Sequence, residues 1–194
     1  MKFIKDWKKE ILTVPNLLSL FRLLLIPVYV VIYLNASNSV DYYIAGAILA
    51  VSCLTDLIDG KIARHFNLIT TVGKVLDPIA DKATQFTLIV CLAIHYPVLY
   101  YIIALFVVKE AFQLLAGLWL FRKGRMLKYA LITGKICTTV LFISLIAMVI
   151  FPKMTQRQVE IIAVVDIIFM VIAFTEYALA YFSRKNHFQD LNQQ

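Results

Sequence analysis

Asp56-Leu57-Ile58-Asp59-Gly60-Lys61-Ile62-Ala63-Arg64 and, after eight further residues, Gly73-Lys74-Val75-Leu76-Asp77-Pro78-Ile79-Ala80-Asp81 put four carboxylates into the ends of two apolar runs. An acid inside a membrane span is expensive to desolvate and marks function by default. Asp56 and Asp59 are three apart and Asp77 and Asp81 four apart, so each pair shares one helical face. The short Arg64-to-Gly73 connection predicts an antiparallel helix pair. At about 1.5 Å of rise per residue, Asp59 and Asp77 fall within roughly two turns of the joined ends, with Asp56 and Asp81 about a turn deeper. The spacing therefore predicts four carboxylates converging at one depth.

Outward from this stretch the chain is apolar. Of 194 residues, 61% are hydrophobic and only 16% charged, with a mean hydropathy of +0.81. Soluble domains carry about 25% charged residues, so the composition predicts an integral membrane protein. A span needs about 20 apolar residues, and six runs qualify: Leu17–Leu34, Tyr42–Arg64, Lys74–His95, Val98–Phe121, Ala130–Phe151 and Val159–Phe182. Each is expected to be a helix, because lipid leaves backbone groups no outside partner. The expected fold is all-α and polytopic, six transmembrane helices in a single domain over 1–194. Phe3, Ile4, Trp7 and Ile11 among lysines predict a short interfacial helix over Phe3–Leu12.

Charge sets the expected orientation. Lys2, Lys5, Lys8 and Lys9, then Arg64 and Lys74, then Arg122, Lys123, Arg125 and Lys128, and finally Arg184 and Lys185 fall on one side; the opposite loops hold only Lys153 and Arg157. Both termini are expected in the cytoplasm, with the chain in the cell's inner membrane. The net charge of +7 then reflects topology and lipid headgroups, and no nucleic acid is needed. No cleavable signal peptide is expected. Cys53, Cys91 and Cys137 lie in apolar runs and read as reduced core residues. Tyr42, Tyr43, Tyr96, Tyr100 and Tyr101 crowd the expected outer face as an aromatic belt.

Four acids so close would repel and protonate unless a positive charge sat among them. Lys61, Arg64, Lys74 and Lys82 are near, but hard divalent cations account for the cluster better. An all-oxygen ligand set suits Mg²⁺ or Mn²⁺, and two such ions form a clamp for displacement at phosphorus. Gly60, Ala63 and Gly73 remove bulk where phosphates would approach the backbone, Arg64 offers a planar donor fork, and Thr70 and Thr71 can donate to phosphate or base. The plainer reading, aspartates as ion-paired helix glue, is weakened because buried pairs stabilise poorly.

The spacing Asp56-x-x-Asp59-Gly60-x-x-Ala63-Arg64, eight residues, Gly73-x-x-x-Asp77-x-x-x-Asp81 resembles the signature of the CDP-alcohol phosphotransferases at every fixed position. The resemblance implies that Asp56, Asp59, Asp77 and Asp81 hold two divalent cations, Mg²⁺ or Mn²⁺. It implies that Asn16, Gly60, Ala63, Arg64, Thr70 and Gly73 line a CDP site, and that Asp81 takes the acceptor's hydroxyl proton. The implied reaction moves a phosphatidyl group from CDP-diacylglycerol to an alcohol and releases CMP. Homodimers, usual in that family, are implied too.

Val14-Pro15-Asn16-Leu17-Leu18-Ser19-Leu20-Phe21-Arg22, with Ala63-Arg64-His65-Phe66-Asn67 and Leu76-Asp77-Pro78-Ile79-Ala80-Asp81-Lys82, is most similar to the phosphatidylglycerophosphate synthases, whose acceptor is glycerol 3-phosphate. Arg22 either reaches a phosphate or snorkels to the interface. Two departures bear on the acceptor. Lys109-Glu110 and Gly117 stand where those enzymes usually carry Arg-Glu and a second Arg; Gly134-Lys135-Ile136-Cys137-Thr138 lacks the second lysine of Gly-Lys-x-Lys-Thr. Lys109, Lys135 and Arg125 remain as acceptor-binding cations, Lys109 facing a wet cavity or else paired with Glu110. The departures leave room for a CMP-forming cardiolipin synthase, whose acceptor is phosphatidylglycerol. A divalent-metal transporter is the alternative of another class. Glu176 is expected to meet Lys185 or another inner-face cation, and Asp166 to find a partner across helices or subunits.

Overall fold

The computed structural model describes residues 13–65, 70, 72–123, 125–127, 131–182 and 188–190. They form six helices: α1 (Val14–Leu34), α2 (Ser39–His65), α3 (Gly73–Ala93), α4 (Leu99–Arg122), α5 (Ile132–Ile150) and α6 (Gln156–Phe182). Each falls on one of the six expected runs. The interfacial helix expected over Phe3–Leu12 lies outside the described residues.

Four helices contain stretches long and apolar enough to cross a membrane: Asn16–Leu34, Leu99–Arg122, Ile132–Ile150 and Gln156–Tyr181. The other two are long enough, since 27 and 21 residues rise about 40 and 32 Å. Their apolar runs are broken by the aspartates and lysines of the opening motif, and α2 offers only Ser39–Thr55 as a shorter apolar stretch. Leu24, Leu115, Ile132 and Leu179 lie largely exposed, as lipid-facing side chains must. The chain is an all-helical polytopic membrane protein.

The one non-helical feature among the described residues was not expected. Arg125–Leu127 (β1) and Phe188–Asp190 (β2) pair antiparallel, with Met126 opposite Gln189. Three-residue strands bear too little periodicity to be read from sequence.

The chain divides into two compact units. The first comprises residues up to Cys91 together with Met148–Pro152. Pro15 opens α1, where a missing N–H costs nothing. The α1–α2 hairpin is closed by a reciprocal cap: Asn38 Oδ1 accepts the Asp41 N–H at 3.1 Å, and Asp41 Oδ2 accepts the Asn38 N–H at 3.2 Å. Tyr29, Tyr33, Ala45, Leu49, Leu88 and Ile89 are buried here, and the Tyr29 and Tyr33 rings stack at 5.5 Å.

The second unit holds α4, most of α5, and α6. Phe112 of α4 meets Phe174 and Tyr181 of α6 edge to face, at centroid distances of 5.1 and 5.9 Å. The start of α6 is capped by Thr155, whose N–H donates to Gln158 Oε1 at 2.8 Å. None of the three cysteines forms a disulfide.

Candidate active site

α1 and α3 run parallel, joined by three polar contacts at successive rungs. Asn16 Nδ2 donates to Thr70 Oγ1 at 2.9 Å, Ser19 Oγ donates to Asp77 Oδ1 at 2.5 Å, and Arg22 Nη1 donates to Asp81 Oδ1 as an ion pair. Asn16, Ser19 and Arg22 recur every three residues, so they share one face of α1. All three are buried, at 1%, 0% and 2% exposure. Burial without partners would be costly for each, and the ladder supplies the partners.

Gly73 is fixed by the first rung. Its N–H donates to Thr70 Oγ1 at 2.9 Å, the bond an N-cap side chain makes. A β-carbon at Gly73 would stand 2.5 Å from Asn16 Oδ1 and 3.0 Å from Thr70 Oγ1. Asn16, Thr70 and Gly73, all expected at the CDP site, are thus brought together. Below the third rung, Arg22, Tyr29, Ser52 and Thr84 help line a narrow cleft within this unit.

Asp77 is half-buried and the Asp81 side chain is 46% exposed, so both carboxylates are held by α1 and keep part of their surface exposed. The donor set is oxygen only, which fits a hard divalent cation. Asp56, Asp59, Gly60, Ala63 and Arg64 lie in the last turns of α2, which ends at His65; their side chains are outside the described residues, as is Thr71. Among the described residues no three His, Cys, Asp or Glu side chains gather.

The second unit carries the expected acceptor cations. Lys109 is 2% exposed and pairs with Glu110 Oε1 at 2.5 Å, the ion pair and not the wet cavity. Lys135 is exposed, and the side chain of Arg125 is outside the described residues. Gly134, beside Lys135, is pressed by Tyr177, whose Cε2 and Oη would stand 2.7 Å from a β-carbon.

Other partners are as follows. Arg22 does not snorkel to the interface: it is 2% exposed, and its Nη1 donates to Asp81. Ser19 had no expected role, although its three-residue spacing from Asn16 and Arg22 was a usable signal. Asp166 is buried and accepts the Ser144 hydroxyl at 3.0 Å, a partner across helices as expected. Glu176 accepts the Thr133 hydroxyl; Lys185 is outside the described residues.

The chain is 42% identical over 69 residues to a CDP-diacylglycerol–glycerol-3-phosphate 3-phosphatidyltransferase of Rickettsia typhi, covering 35% of this chain and 38% of that protein. It is 29% identical over 119 residues to a probable phosphatidylglycerophosphate synthase of Mycobacterium tuberculosis, covering 60% and 57%. It is 42% identical over 89 residues to a cardiolipin synthase (CMP-forming)/mitochondrial hydrolase fusion protein of Schizosaccharomyces pombe, covering 45% and 14%. The matches thus span well under two thirds of these curated relatives' lengths. The sequence profile of the CDP-alcohol phosphatidyltransferases matches residues 12–177, which run through all three rungs and on into α6. With most of its length inside that match, the chain belongs to the CDP-alcohol phosphatidyltransferase family.

Proposed function

We propose that this protein transfers a phosphatidyl group from CDP-diacylglycerol to glycerol 3-phosphate, releasing CMP. The observation that carries the reading is the pair Asp77 and Asp81, a turn apart on α3, each held by a buried donor of α1 and each only partly buried. Relatives named for this reaction support the acceptor.

Members of this family generally depend on a divalent cation. Asp56, Asp59, Asp77 and Asp81 are proposed to hold two, Mg²⁺ or Mn²⁺. When bound they would neutralise the pyrophosphate and stabilise the charge that develops on the attacking and leaving oxygens. Asn16, Gly60, Ala63, Arg64, Thr70 and Gly73 would hold the CDP group. Gly73 would give the phosphates close access to the backbone, with Asn16 and Thr70 fixing its approach. Asp81 would accept the acceptor's hydroxyl proton as the acceptor oxygen bonds to the lipid-side phosphorus. The bond from that phosphorus to CMP breaks, and CMP leaves with the electron pair. Lys109, Lys135 and Arg125 would attract the acceptor's phosphate.

The six helices are proposed to span the inner membrane with both termini cytoplasmic, the site opening to the cytoplasmic leaflet. The protein is proposed to work as a homodimer, and residues 1–194 are read as one catalytic domain. The family match running through both units supports that reading.

A second acceptor has one observation in its favour. Lys109 is ion-paired with Glu110, so the charge available for a phosphomonoester is reduced, which suits phosphatidylglycerol and a cardiolipin product. Purified protein given CDP-diacylglycerol with Mn²⁺ or Mg²⁺ should release CMP with glycerol 3-phosphate. Release with phosphatidylglycerol alone would replace the acceptor, and no release with any alcohol would end the proposal.

A further inference from the structure

Each α3 aspartate has its Oδ1 taken from the protein side: Ser19 donates to that of Asp77 and Arg22 to that of Asp81. The two donors differ in charge. Ser19 is neutral, whereas Arg22 brings a full positive charge to 2% exposure. Such burial costs several kcal/mol unless the charge is paired, and an interfacial arginine would escape it by extending to the headgroups. Arg22 does not, so its position needs a reason beyond packing. Its Nη1 donates to Asp81 Oδ1, so the positive charge sits directly against that carboxylate.

We propose that Arg22 is a positioning residue that holds Asp81 through Oδ1 and, by its fixed positive charge, opposes the bound cation and limits how tightly the site holds its metal. This rests on the reading of Asp77 and Asp81 as cation ligands. A site that must let go of a metal-bound nucleotide at each turnover gains from a fixed opposing charge. Ser19 fixes Asp77 without that opposition.

Mn²⁺ binding separates this role from a structural one. The probe is Mn²⁺ titrated into the full-length protein in nanodiscs and read by electron paramagnetic resonance, beside CMP release. Arg22→Gln keeps a donor and removes the charge. It should bind Mn²⁺ at least about threefold tighter, since a like charge has gone from the site, while turnover falls because Asp81 is less firmly held. Ser19→Ala, losing a neutral donor, should not tighten binding. General damage would weaken both binding and turnover. Folded Arg22→Gln protein binding Mn²⁺ as wild type does, or more weakly, overturns the proposal. If Arg22→Gln does not fold, Arg22→Lys decides: it keeps the charge and should hold Mn²⁺ within about twofold of wild type, so a tenfold loss overturns it. Mn²⁺ binding by Asp77→Asn protein as tight as wild type's would instead refute the ligand reading beneath it.

Discussion

Replacing Gly73 by alanine isolates the first rung of the α1–α3 ladder. Alanine is the better helix former, and in a helix interior the exchange would gain up to about 1 kcal/mol. Here the new β-carbon would stand 2.5 Å from Asn16 Oδ1 and 3.0 Å from Thr70 Oγ1. Asn16 is 1% exposed, so its amide cannot swing into water. Moving it breaks the 2.9 Å bond to Thr70 and disturbs the hydroxyl that caps the Gly73 N–H. A buried amide left short of a partner costs about 1–3 kcal/mol and a lost cap about 1 kcal/mol. Gly73→Ala should therefore destabilise by roughly 1–3 kcal/mol net, with a higher KM for CDP-diacylglycerol. Thermal unfolding in detergent reads the first effect and CMP release the second. The decisive arrangement is a double-mutant cycle with Asn16→Ala, which vacates the contested space. Gly73→Ala should then be close to neutral, giving a coupling of at least about 1 kcal/mol. Additive effects, or a Gly73→Ala midpoint at or above wild type, would refute the steric argument.

Gly134→Ala drives a β-carbon to 2.7 Å from the Tyr177 ring; overpacking of this kind costs about 1–3 kcal/mol. A lowered unfolding midpoint, recovered when Tyr177 is cut to leucine, is the expected result. Ser144→Ala removes the donor to Asp166 Oδ1, while Oδ2 has no hydrogen-bond partner among the described residues. A loss of about 1–3 kcal/mol follows, and adding Asp166→Leu should restore the midpoint, since no polar group is then left buried. Asp81→Asn should still bind Mn²⁺, more weakly than wild type because one of the four carboxylates has lost its charge, and lose most CMP release; wild-type turnover would remove Asp81 as the base.

The helices were legible because lipid demands long apolar runs and charges interrupt them. Differences at the ends have local causes. α1 begins at Val14, three residues before the expected Leu17, because Pro15 suits a first turn and Asn16 is held there by Thr70. α3 stops at Ala93 and not at His95, where the His95 and Tyr96 N–H groups both turn back to Leu92 O. In the site, the aspartates were legible from spacing alone, since helical periodicity fixes which residues share a face. Their partners were not. Arg22 could equally have reached a phosphate, an interface or a carboxylate, and only the parallel register of α1 against α3 selects Asp81. Ser19 is a single small polar residue in an apolar run, and such residues often bond their own helix, as Thr84 does to Ala80 O.

The same register bounds the depth at which the chemistry can occur. From Asn16 to Arg22 the α1 axis rises about 9 Å, and over that length every third residue reaches a polar partner on the chain leading into or along α3. Beyond Arg22 the buried residues of α1 are Tyr29 and Tyr33, with rings stacked at 5.5 Å; the buried polar side chains of this unit below the rungs, Ser52, Thr84 and Gln85, are neutral, and Leu88 and Ile89 are buried and apolar. A path for a metal ion across the bilayer would need anionic lining to continue past this point, because each uncompensated charge in hydrocarbon is costly. An enzyme acting on a lipid whose nucleotide is in water and whose chains are in the membrane needs the opposite: charge confined to the rim, with neutral packing beneath. The change from Arg22 to the tyrosine stack on a single helix therefore weighs against transport and for headgroup chemistry at the membrane surface.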